Sequence, residues 1–95
     1  MPNSRADVTT QHASRYLQQL CKHWAHKFSV EFDPHRGTIE MPAARIALEA
    51  RNDRLLVDVN AEDAAALERM EGVVAEHIVR FAFREDLVFD WTREG

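Results

Sequence analysis

The sequence predicts an α+β domain: a four-stranded antiparallel meander with two helices packed on one face. Three observations carry this. Apolar residues recur every three or four positions over 11–27. Four segments between 28 and 59 instead alternate apolar and polar residues. A second three-to-four repeat then runs over 61–82. With a weak first strand the order becomes β-α-β4-α. One-faced burial of a sheet is most economically completed by two helices on that face. Ninety-five residues supply a single core, so 1–95 is expected to be one domain.

The elements follow in chain order. In "SRADVT" (4–9) only Ala6 and Val8 alternate with polar neighbours, which predicts a short strand frayed within residues 1–9. Ala13, Leu17, Leu20, Trp24 and Phe28 mark the buried face of the first helix, with Thr10 expected as its N-cap. "FSVEF" (28–32), "TIEM" (38–41), "ARIALEA" (44–50) and "LLVDV" (55–59) are the four strands. "DPHRG" (33–37), Pro42 and "RNDR" (51–54) punctuate them, and His35 and Arg36 are expected to face solvent in a turn. Asn60 is the expected cap of the second helix, with Asp63 at its third position. Its stripe is Ala64, Leu67, Met70, Val74, Ile78 and Phe81, and Gly72 is read as a point of close approach to the sheet. "DLVFDW" (86–91) is a last short strand or part of an extended tail over 86–95, with Leu87, Phe89 and Trp91 on one side.

Composition excludes several function classes. A net charge of −4 argues against nucleic acid and anionic membranes as partners. No apolar run reaches the length of a membrane span, and "MPNSRADVTT" carries no apolar signal segment. One cysteine rules out an internal disulfide. The expected location is the cytoplasm.

Three blocks, "ASRYLQQLCKHWAHK", "FDPHRGTIEMPAARIALEA" and "HIVRFAFREDLVFDW", together resemble the bacterial family of unknown function labelled DUF2218. The resemblance spans nearly the whole chain. It implies a TATA-binding-protein-like arrangement and an association with siderophore-interacting flavoproteins, but no assigned activity or catalytic residues. Members often carry glycine in the turn around Ala43–Ala44, which "PAAR" lacks.

The stretch "LCKHWAHK" (20–27) looks most like chemistry. At about 100° per residue, Cys21 lies about 60° to one side of Trp24 and His23 about 100° to the other. One helix therefore does not aim both at a single metal. Cys21 reads as a small buried hydrophobe or, with Lys22 and Lys27 nearby, as a thiol. His12, Gln19, His23 and His26 form a polar stripe with Tyr16 on its edge. His23 and His26 form a metal or ligand site if His77 of the second helix joins them; otherwise they are a solvated face. No cofactor is predicted, and iron or another transition metal is the alternative at that cluster. Arg80 and Arg84 are an anion anchor or, with Glu76, ordinary helix-surface ion pairs. Phe83, Phe89 and Trp91 are an interface if exposed.

No phosphate-binding glycine loop, Ser-His-Asp set or CxxC pair is present, so catalysis is disfavoured. The leading expectation is an accessory domain linked to siderophore and iron utilisation, with a siderophore-interacting flavoprotein as partner. The alternative is a protein that binds a metal or small ligand through His23, His26 and His77. The sequence leaves a homodimer open.

Overall fold

A computed structural model of the protein describes residues 2–82 and 85–94. Its elements are β1 (Asn3–Thr9), α1 (Ala13–Trp24), β2 (Ser29–Phe32), β3 (Arg36–Glu40), β4 (Ala44–Ala50), β5 (Arg54–Ala61), α2 (Ala64–Phe81) and β6 (Thr92–Glu94). The class is α+β as expected, but the sheet has six strands, not four. Its order is β2-β3-β4-β5-β1-β6, and every pairing is antiparallel. The meander β2 to β5 is intact, and the chain ends extend it beyond β5.

The N-terminal segment is thus no frayed edge. β1 lies between β5 and β6, with Ala6 facing Val57 and Val8 facing Leu55. Its inward positions Ser4, Ala6 and Val8 are all buried. The tail departs from expectation in a related way. Residues 86–91 form no strand, and the pairing segment is the wholly polar Thr92–Glu94.

One face of the sheet is apolar. Ile39, Ile46, Leu48, Leu55, Val57 and Val59 pack beneath Leu17, Leu20 and Trp24 of α1 and Leu67, Val74 and Ile78 of α2. The hydrophobic effect, at roughly 25 cal/mol per Å² of apolar area, makes this layer the main source of stability. The opposite face carries cross-strand charge pairs, Arg5–Asp58 at 2.9 Å, Arg45–Glu40 at 2.8 Å and Arg36–Glu49 at 3.6 Å. Such solvent-facing pairs contribute about 0–1 kcal/mol each.

Capping differs from expectation at both helices. α1 begins three residues after Thr10, at Ala13, with His12 in the cap position and no side-chain cap. Thr10 instead accepts from the His12 backbone N–H at 3.1 Å and donates its hydroxyl to Glu85. For α2 the cap is Asp63, not Asn60. Its carboxylate accepts from the Ala66 N–H at 2.8 Å, because β5 continues through Asn60 to Ala61.

The glycines also exchange roles. Gly72 is exposed, and a Cβ there would meet nothing within 4 Å, so it permits no close approach. Gly37 does. A Cβ on it would lie 2.7 Å from Cys21 Sγ and 3.2 Å from Phe32 Cβ. α1 therefore sits on β3 at a distance that only glycine allows. The β3–β4 turn closes without glycine, through Met41 N–H to Ala44 C=O at 2.8 Å and the reciprocal bond at 3.4 Å.

Candidate functional site

Between the C-terminal end of α1 and the outer flank of α2 lies a cleft of about 540 Å³. Its floor is apolar and soft: Trp24, Phe28, Met41, Met70 and Val73. Its other lining residues are His23, His26, Lys27 and His77. Among the described lining residues there is no carboxylate, in a chain with 16 acidic residues.

Helix geometry explains the convergence. α1 buries its Trp24 edge and carries His23 on the exposed flank; the helix ends at Trp24, short of the expected residue 27, so His26 reaches the cleft from the turn that follows. On α2, Val74 and Ile78 are buried, which leaves His77 half-buried at the stripe's margin. The His23 and His77 ring centroids are 5.2 Å apart with planes inclined at 51°. Trp24 lies 5.0 Å from His77 and closes the deep side. His77 Nδ1 is 2.7 Å from the Val73 carbonyl oxygen. A carbonyl only accepts, so Nδ1 carries the proton and Nε2 is the nitrogen left for a ligand.

The other predicted residues fall elsewhere. Cys21 is on the flank of α1 away from the cleft, fully buried under Gly37. Burial pushes its thiol up to about 11, so it is a packing group and not a thiolate at neutral pH. Phe89 and Trp91 are half-buried against the core and stacked on each other, centroids 5.9 Å apart. Arg80 is exposed and has no ion-pair partner among the described residues. Phe83 and Arg84 lie outside the described residues. Tyr16, expected at the edge of a polar stripe, is buried and donates to the Glu85 carboxylate. Burial, and then that hydrogen bond, raise its phenol above the ordinary value.

Among the described residues, no three His, Cys, Asp or Glu side chains lie close enough together to hold a metal ion. Sequence reasoning missed Met41, Met70, Phe28 and Lys27 as lining. Met70 was assigned to the core stripe and Met41 to a strand end, and neither position signals a cleft from one element alone.

Sequence reasoning also missed a corner where three elements meet. Glu71 of α2 is buried, and its carboxylate accepts from Ser4 Oγ of β1 at 2.5 Å. It also takes two hydrogen bonds from the Arg93 guanidinium of β6, at 2.8 and 3.1 Å. The Arg93 hydrogen bonds, and then that of Ser4, hold the Glu71 carboxyl below its ordinary value against the opposing effect of burial. A larger concavity, about 790 Å³, lies on the outer sheet face over Thr38, Ala47 and Leu56. Its rim pairs Arg5 with Asp58 and Arg36 and Arg51 with Glu49. Those charges already have partners, so the smaller cleft is the stronger candidate.

A compact α+β domain with an open, imidazole-lined interhelical cleft is the class that fold and site define. The chain belongs to the DUF2218 family, described as an uncharacterized protein conserved in bacteria, whose profile matches residues 5–92. It is similar to a protein from Pseudomonas aeruginosa solved by NMR, PA4090, at 41% identity and a TM-score of 0.83. That match covers 97% of this chain and 96% of the other. No functionally curated protein matches. No helix among the described residues is long and apolar enough to cross a membrane.

Proposed function

We propose that this protein is a small binding domain that acts through the cleft between α1 and α2 and not through catalysis of its own. The observation that carries this is the lining: imidazoles of His23, His26 and His77 over an aromatic and thioether floor, with no carboxylate among the described lining residues. Several charged groups elsewhere are already paired. Glu71 is matched by Ser4 and Arg93, and the outer-face arginines Arg5, Arg36, Arg45, Arg51 and Arg54 are matched by acids. Among the described residues, the cleft presents several ring nitrogens beside a concave apolar surface, the pattern expected of a small-ligand site. The half-buried, mutually stacked Phe89 and Trp91 lend less support to an interface on the tail. An accessory role beside a siderophore-interacting flavoprotein is the partner this proposal carries, and it rests on the family resemblance alone.

The test is an NMR titration that follows the Trp24 indole and the ring signals of His23, His26 and His77. Metal ions and aromatic carboxylates serve as separate probe classes. Saturable shifts confined to the cleft, with Kd below about 100 μM or roughly −5.5 kcal/mol, are expected for at least one class. Flat titrations with every class, or shifts confined to the outer sheet face, would remove the proposal.

A further inference from the structure

We propose that the cleft binds a soft monovalent metal ion, Cu(I), between the imidazoles of His23 and His77, with thioether donors from Met70 and Met41. This rests on the cleft being the working site and names the ligand class it takes.

Four features lead there. First, the ring separation fits. Two imidazoles on one ion, with metal–nitrogen bonds of about 2.0–2.1 Å at a roughly tetrahedral angle, place their centroids about 5 Å apart. The His23 and His77 centroids are 5.2 Å apart. Second, His77 is already held as a metal-binding imidazole is held. Its Nδ1–H donates to the Val73 carbonyl and leaves Nε2 as the donor atom. Third, the remaining donors are soft. Met41 and Met70 line the same cleft, and thioethers select Cu(I), whereas carboxylate and carbonyl oxygens suit harder ions. The one thiol that a zinc site would recruit, Cys21, is buried on the opposite flank. Fourth, Lys27 lines the cleft. Its ammonium opposes a dication about twice as strongly as a monocation at the same distance. The Trp24 indole, its centroid 5.0 Å from that of His77, adds an aromatic wall beside the imidazole pair. Iron fits this donor set poorly, since nothing in the described lining supplies an anionic oxygen.

The experiment is an anaerobic competition between the full chain and a chromophoric Cu(I) chelator, repeated with Ag(I) as a redox-inert surrogate. One ion per chain is expected, with Zn(II) bound at least about 100-fold more weakly. His77→Ala, and the paired Met41→Leu and Met70→Leu substitutions, are each expected to weaken Cu(I) binding at least about tenfold. His23 is exposed, so His23→Gln leaves folding untouched and weakens binding by a similar factor, which keeps the test decisive if a core-side variant misfolds. No competition, Zn(II) bound as tightly as Cu(I), or undiminished affinity in His23→Gln and in the methionine pair would overturn the inference. If aromatic carboxylates shift Trp24 while Cu(I) does not, this inference fails and the cleft reading stands. If neither binds, both fail.

Discussion

Helix α2 presents two polar residues to two very different surroundings. Glu71 enters a corner where Ser4 of β1 and Arg93 of β6 occupy its carboxylate oxygens. His77 enters the cleft, where one ring nitrogen is bonded to the chain's own backbone and the other is left over. The first is closed and acts as a fastener. The second is half-closed, which fixes the ring without using it up. Buried polar groups that only stabilise are normally satisfied, so an oriented but unfinished side chain is where binding is to be sought.

This contrast can be broken by substitution. Glu71→Ala removes the fastener, strands the buried Ser4 hydroxyl and frees Arg93. After discounting for a guanidinium that is about half exposed, the expected cost is about 2–3 kcal/mol in a urea unfolding curve. Gly37→Ala tests another closed contact, between α1 and β3. Its Cβ would sit 2.7 Å from Cys21 Sγ, so the helix must shift, at about 1–3 kcal/mol. In the double variant with Cys21→Ala the costs are expected to be clearly less than additive, since the clash has lost its partner. His77→Ala belongs at the other end of the scale, with stability expected to change by about 0.5 kcal/mol or less. A large loss there would show that His77 is a fastener too.

Acid sharpens the same comparison. The Glu71 carboxyl is held below its ordinary value of 4.5 by Arg93 and Ser4. Its contribution is therefore fully present above the unfolded-state value and is lost as pH falls through the lower folded-state value. Glu71→Gln is expected to flatten stability against pH in that acidic window. The smallest effect is on Cys21. With its thiol raised to about 11 and fully buried, it is expected to resist a thiol-specific reagent at neutral pH until the chain unfolds. Labelling of the native protein at the rate of the unfolded one would contradict that packing.

What was legible in the sequence follows which forces write periodic patterns. β4 is bounded as expected because Ile46, Leu48 and Ala50 alternate without interruption. The split of "LCKHWAHK" into an inward Trp24, a buried Cys21 shoulder and an exposed His23 follows from helical angles, but the helix ends at Trp24 and His26 lies in the turn beyond it. β1 and β6 were harder to read because their inward residues include Ser4 and Arg93. A polar residue in an inward position looks like a break in the pattern until its partner is known, and here that partner is Glu71, on a helix between them in sequence. Gly37 and Gly72 could not be told apart for a similar reason. Whether a Cβ fits depends on what another element places opposite it. The cleft was half legible: its histidines were visible, but its methionines lie far apart in the chain, Met70 on α2 and Met41 in the β3–β4 turn.

The position of β1 also sets an order of events. It precedes β2 to β5 in the chain, yet Asn3 faces Asn60 on one side and Glu94 on the other. The four strands β2 to β5 pair between neighbours in the chain and can zip as they appear. β1 must wait for β5, with the closure entropy of the loop over residues 10–53, nearly half the chain, against it. During that wait the free edge of β5 is open to the wrong partner, including a β1 from another copy. The clasp of Glu71 by Ser4 and Arg93 closes only when β1, β6 and α2 are all in place, and so favours that pairing over others.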